Sequence, residues 1–201
     1  MFVPCDFRCS SVVANMTPRR TIVAIVVALA LVQPVATLAQ ETRWAAPDGA
    51  VILFRHATAP GVGDPEHFRL GDCSTQRNLD ADGRAQAKEM GQRLRADGIR
   101  VRKVLSSQWC RTLETARLAF AGDPIVQSPA FNSFFGQPER NSPQTVSAMA
   151  TLREWKGPGV MVVVTHQVNI TALTGVVPRS GEGVVVKLAD NTLQVLGRLV
   201  P

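Results

Sequence analysis

Beyond residue 40 the chain alternates short apolar runs with longer segments whose apolar residues recur every three or four positions. That alternation is the signature of strands followed by helices, and it predicts an α/β fold. AVILF (50–54) and VMVVVTH (160–166) are apolar runs too short for helices, and RKVLSS (102–107) reads the same way, so all three are expected to be buried strands. DADGRAQAKEMGQRLRADGI places Ala85, Met90 and Leu94 on one helical face, which predicts a helix over 82–97 with Gly98 as its C-terminal cap. CRTLETARLAF predicts a second helix over 110–120, ended by Gly-Asp-Pro at 122–124. A third is expected over 142–155, with Ser142 as N-cap and Pro143 at the first helical position. The tail, GEGVVVKLADNTLQVLGRLV, predicts a hairpin around Asp190-Asn191.

Composition changes the picture at the N-terminus. The 201 residues, 45% of them hydrophobic, suffice for one domain with a substantial core. The first forty stand apart: MTPRR (16–20) precedes the apolar TIVAIVVALALV (21–32), then Pro34 and the small residues of VATLAQ. This is the layout of a signal peptide, and its apolar stretch falls short of the roughly 20 residues that cross a bilayer. Residues 1–39 are therefore expected to be a signal peptide cleaved after Ala39, with Met16 as the true start and an uncleaved anchor as the alternative. The mature chain, 40–201, is then periplasmic or secreted with no stable membrane span. Cys5 and Cys9 leave with the leader, and Cys73 and Cys110 are expected to pair in the oxidising compartment. Removing Arg8, Arg19 and Arg20 with Asp6 takes two charges off the formal +6 and leaves +4. The basic residues are dispersed among acids, which argues for a small anionic ligand and against nucleic acid.

Polar signals follow each of the three strands: Arg55-His56, then SSQWCRT with Arg111, then Thr165-His166. In open α/β sheets, ligands sit beyond the carboxyl ends of the strands, so two imidazoles and two guanidiniums are expected at one edge. Two arginine forks can grip the oxygens of a phosphate with charge-assisted hydrogen bonds. A neutral imidazole between them can attack phosphorus, and a second, protonated imidazole can stabilise the equatorial oxygens. The chemistry this arrangement suggests is phosphoryl transfer, for which no metal or cofactor is expected.

These segments resemble the histidine phosphatase superfamily, the fold shared with phosphoglycerate mutases. FRHATAP is similar to its Arg-His-Gly motif, RNLDADGRAQA to its Leu-Thr-x-x-Gly-x-x-Gln-Ala segment, and SSQWCRTLETA to its Ser-Ser-x-x-x-Arg-x-x-x-Thr-Ala helix start. VTHQVNITALTG resembles its second-histidine loop. The resemblance implies a single three-layer α/β/α domain over 40–201 with a mostly parallel central sheet. It also implies His56 as the phosphorylated nucleophile, Arg55 and Arg111 as phosphoryl ligands, and His166 as their assistant. The leader and RLGDCSTQRNL look like small exported bacterial members, some of which act on phosphorylated sugars of the lipopolysaccharide core.

The chain departs from the family at three positions. Ala57 stands where most members have glycine, Gln167 where one branch has an aspartate, and Asn132 aligns with the usual proton-donating glutamate four residues before Gly136. Glu139 is the first substitute acid, followed by Asp64 and Asp72, and Asn132 becomes a wall of the pocket. Thr58 and Ser106 are candidates to donate a hydroxyl to the phosphate, with capping of local backbone as the alternative, and His67 reads as surface. The leading expectation is an exported, metal-independent phosphomonoesterase. Its alternatives are a phosphatase for good leaving groups, such as phosphohistidine or acyl phosphate, and a noncatalytic phospho-ligand-binding module.

Overall fold

The computed structural model describes residues 43–201, so the expected leader, with Cys5 and Cys9, lies outside the described residues. The three apolar runs form β1 (Val51–Arg55), β2 (Val101–Ser106) and β4 (Val160–Thr165), and the tail forms the hairpin β5 (Gly183–Ala189) and β6 (Thr192–Leu199). A short β3 (Ile125–Gln127) sits at the edge. The strand order is β3-β2-β4-β1-β5-β6; the first four are parallel, β5 runs antiparallel to β1, and β6 runs antiparallel to β5. Asp190 and Asn191, the turn residues between paired Ala189 and Thr192, both take positive φ, as the tight hairpin demands.

Side-chain alternation along each buried strand divides the core into two layers. Ile52, Phe54, Val104, Val162 and Val164 cluster with Met90 and Leu94 of α1 (Ala81–Ala96) and with Ala116 and Ala119 of α2 (Cys110–Ala119). Val51, Leu53, Leu105, Met161 and Val163 cluster instead with Ala148 and Leu152 of α3 (Asn141–Arg153) and Ile170 of α4 (Gln167–Thr174). The domain is thus the three-layer α/β/α arrangement around a mostly parallel sheet. Helix α1 is capped by Asp80, which accepts from the Gly83 amide at 2.7 Å, and ends with Gly98 at φ 75°. At Gly91 a Cβ would lie 1.9 Å from the Ala119 carbonyl oxygen, so only glycine permits this approach of α1 to α2.

Two details differ from the sequence pattern. Helix α3 starts at Asn141 without a side-chain cap, which places Pro143 at the third helical position rather than the first. The first-turn amides have no intrahelical acceptor, so proline is tolerated there as well. Helix α4 was not anticipated, because Val168, Ile170 and Thr171 are poor helix formers. Packing overrides propensity: Ile170 is fully buried, and Gly175, at φ 74°, closes the helix. Among the described residues no helix is long and apolar enough to cross a membrane.

Candidate active site

The parallel register aligns the carboxyl ends of three strands. Arg55 pairs with Thr165 and Ser106 with Val164, so the chain leaves β1, β2 and β4 at the same edge. The His56 amide donates to the Thr165 carbonyl and the Ser107 amide to the Val164 carbonyl, both at 3.0 Å, carrying the sheet's order one residue into each loop. His56 and His166, both buried, then stand with ring centroids 5.6 Å apart.

Hydrogen bonds define the tautomers of both rings. His56 Nδ1 lies 2.7 Å from the Ala57 carbonyl oxygen, which can only accept, so Nδ1 carries the proton and Nε2 the lone pair. Arg111 Nε donates to that Nε2 at 3.2 Å. His166 Nδ1 faces Arg111 Nη2 at 3.5 Å, and a guanidinium can only donate. His166 Nε2 therefore donates to Ser107 Oγ at 2.8 Å, and Ser107 in turn donates to Asn132 Oδ1 at 3.3 Å. Both imidazole lone pairs thus meet the Nε–Nη2 edge of a single guanidinium.

The opposite edge of Arg111 is held by Asp64. Its Oδ1 accepts from Arg111 Nη1 at 2.7 Å and from the Arg77 amide at 3.2 Å; its Oδ2 accepts from Arg111 Nη2 at 3.1 Å and from Trp109 Nε1 at 2.9 Å. Four donors converge on one carboxylate, which aims the free edge of the fork between the histidines. The long loop after β1 is fastened to the start of α2 at further points. A disulfide joins Cys73 to Cys110, the Cys110 amide donates to Gln76 Oε1 at 2.9 Å, and Phe68 stacks on Trp109 at 5.0 Å. Arg77 braces the loop from within, donating through Nε to the Gly63 carbonyl at 2.8 Å and through Nη1 to that of Ala59.

Burial first, and then the positive charge of Arg111, lower His56 to about 3 against an ordinary 6.5. The same two causes hold His166 well below its ordinary value. Both rings are neutral near pH 7, which suits His56 as a nucleophile and corrects the expectation of a protonated His166 in the free protein. Burial alone would raise Asp64, but the hydrogen bonds and charge of Arg111, with those of Trp109 and the Arg77 amide, hold its carboxyl below the usual range. An ionised carboxylate with four donors cannot serve as a proton donor in this state.

A cavity of about 430 Å³ opens over this cluster, and Arg55, His56, Arg111 and His166 all line it. Arg55 donates through Nη1 to Gln167 Oε1 and to the Pro178 carbonyl, both at 3.0 Å, while its buried Nε has no hydrogen-bond partner among the described residues. Several expected ligands lie elsewhere. Thr58 donates to Gln86 Oε1 through both its amide and its hydroxyl, and Ser106 Oγ donates to the Ser107 carbonyl. Asn132 does not line the cavity but stands behind His166, holding Ser107 and the Gln108 amide. Glu139 is exposed on a 3-10 turn whose neighbours Gln137 and Arg140 reach the cavity while it does not. Asp72 caps the 3-10 turn at Cys73, and His67 is exposed. Ala57 is buried with ordinary negative φ, its amide donating to Thr115 Oγ1 at 3.1 Å, so the departure from glycine fits.

Sequence reasoning passed over Arg77, Trp109, Phe68 and Phe135, all of which line the cavity. Arg77 and Trp109 fall inside quoted motifs, but nothing in the motif spacing marks them as facing a ligand. Among the described residues no three His, Cys, Asp or Glu side chains gather as a metal site would require.

The model of the histidine phosphatase superfamily (branch 1) matches residues 51–158. The chain belongs to that superfamily. A curated relative, the mitochondrial serine/threonine-protein phosphatase Pgam5 of Drosophila virilis, is 41% identical over 66 residues, which cover 33% of this chain and 20% of that protein. The match thus spans about a fifth of the relative's length. Among solved structures, a putative alpha-ribazole-5'-P phosphatase from Escherichia coli has 19% identity and a TM-score of 0.55, covering 75% of this chain and 95% of that one. The putative phosphohistidine phosphatase SixA from Agrobacterium tumefaciens has 19% identity and a TM-score of 0.51, covering 78% of this chain and all of that one. At these identities the structural likeness establishes the histidine phosphatase fold alone.

Proposed function

We propose that this histidine phosphatase moves the phosphoryl group of a phosphomonoester onto His56 Nε2 and then to water, without metal or cofactor. The observation that carries this reading is the lone pair of His56 Nε2, fixed by the Nδ1–Ala57 hydrogen bond and facing the guanidinium of Arg111. In the first step the N–P bond forms as the bond from phosphorus to the leaving oxygen breaks. In the second, water attacks phosphorus, returns the electron pair to Nε2 and releases inorganic phosphate. Arg111 and Arg55 bind the nonbridging oxygens throughout. Burial first, and then the charge of Arg111, keep His166 neutral; a phosphoryl dianion beside Arg111 offsets that charge and attracts a proton to His166 Nδ1, which then donates to the transferring group. A noncatalytic binding role accounts less well for a desolvated, neutral imidazole set in this tautomer.

Among the described residues that line the cavity Asp64 is the one carboxyl, and it is committed to Arg111. The leaving group therefore departs with little help from a general acid, which favours leaving groups of low pKa and supports the second reading, acyl phosphates or phosphoramidates such as phosphohistidine. The proposed periplasmic or secreted location is supported by the leader-like pattern of residues 16–39 and by the Cys73–Cys110 disulfide, a bond that persists in oxidising compartments. There the enzyme would meet phosphorylated envelope sugars and other exported phosphate esters. The test is kcat/KM across phosphate esters graded by leaving-group pKa. Unaided departure predicts a steep decline with rising pKa, since a missing acid costs roughly 10²–10⁴-fold. A flat profile would show that an acid acts, and phosphate binding without turnover of any ester or acyl phosphate would leave only a binding site.

A further inference from the structure

Resting on the phosphatase reading above, we propose that the outer half of the cavity is a leaving-group subsite for an apolar, aryl-sized group. A phosphoryl group held between His56, His166 and Arg111 fills only a small part of about 430 Å³, a volume typical of pockets that hold whole small molecules. Outside that cradle, besides Arg77 and Arg140, the lining carries the apolar Val62, Pro65, Phe68, Trp109 and Phe135. Val62 is 87% exposed and Phe135 57% exposed, and both stand on this one rim. The two loops that carry them touch: a Cβ on Gly63, the neighbour of Val62, would lie 3.7 Å from Phe135 Cε1. Large apolar groups left in water around the mouth of a reactive site mark the surface that a ligand covers.

Several acceptors of the same wall already have protein donors. Ser133 Oγ accepts from the Phe135 amide at 3.2 Å, Gln137 Oε1 from Arg140 at 2.9 Å and Gln167 Oε1 from Arg55 at 3.0 Å, while Asp64 holds four donors. Each of these acceptors thus already holds a protein donor, while the side chains of Val62 and Phe135 stand open to water. A leaving group that covers Val62 and Phe135 gains from leaving water, and a polyol of the same size does not.

The experiment compares two aryl phosphates of similar leaving-group acidity, 2-naphthyl phosphate and 3-(hydroxymethyl)phenyl phosphate, with glucose 1-phosphate and acetyl phosphate in parallel. The expected result is a kcat/KM about tenfold higher for the naphthyl ester than for the hydroxymethyl one. In Val62→Ser with Phe135→Ala that ratio falls toward one; both side chains are solvent-exposed, so the variant folds. A ratio near one in the unaltered protein, a ratio the variant does not change, or faster turnover of glucose 1-phosphate would each overturn the apolar subsite. No turnover of any of the four, acetyl phosphate included, would instead sink the phosphatase reading on which the subsite rests.

Discussion

Replacing Asp64 with asparagine tests whether this carboxylate aims Arg111 or protonates the leaving group. Asparagine keeps the shape and one carbonyl oxygen, but the other oxygen becomes an NH₂ that cannot accept. If the carbonyl stays toward Arg111 Nη1 and the Arg77 amide, then Arg111 Nη2 and Trp109 Nε1, now at 3.1 and 2.9 Å from an acceptor, are left facing a donor. A hydrogen bond to a charged group contributes about 1.5–3 kcal/mol, so the guanidinium loses roughly 2–3 kcal/mol of orienting energy. If that loss is felt in the transition state, phosphoryl transfer slows by about 30- to 150-fold. The assay is rapid-quench formation of the phosphoenzyme at saturating aryl phosphate, which separates the chemical step from binding, repeated over a series of leaving groups. An aiming role predicts the same loss for every leaving group. A loss that grows with leaving-group pKa would make Asp64 the acid, and no loss at all would mean that Arg111 keeps its direction without it.

Two other expectations concern stability. Both buried histidines are neutral when folded but bind protons below about 6.5 when unfolded, so stability is greatest above that pH and declines as pH falls through it. With His56 at about 3 in the folded chain, its share of the loss between pH 8 and pH 5 is about 2 kcal/mol, read from urea midpoints and absent in His56→Gln. The Cys73–Cys110 bridge closes a loop with a sequence separation of 37. Chain entropy puts its contribution at about 4 kcal/mol, so Cys73→Ala with Cys110→Ala should lower the unfolding free energy by that order, and a change under about 1 kcal/mol would refute the estimate.

The elements legible in the sequence were those whose residues report their own surroundings. An unbroken apolar run such as Val160–Val164 can only be a strand buried on both faces, and a polar residue just after such a run, such as His56 or His166, must sit at the strand's end. Ligands read from loops fared differently. Thr58 and Ser106 lie within the motifs, yet each hydroxyl donates to a protein oxygen, that of the Gln86 side chain or the Ser107 carbonyl, a choice that residue type does not reveal. Asp64 was legible as a pocket acid but not as the partner of Arg111, because its role depends on where a loop of more than twenty residues folds back. Asn132 shows the same limit: its place in the chain matched a family position, while its side chain turns behind His166 toward Ser107. The missed β3 and α4 are short elements made by packing at an edge and against the sheet, where local pattern carries little weight.

The most direct test of the whole account is whether a phosphoryl group becomes bonded to His56. Mixing the protein with an activated aryl phosphate, quenching in alkali and measuring intact mass should reveal an acid-labile phosphoryl adduct that is absent in His56→Ala. An adduct mapped to another residue, or turnover with no adduct while His56→Ala remains active, would contradict the mechanism.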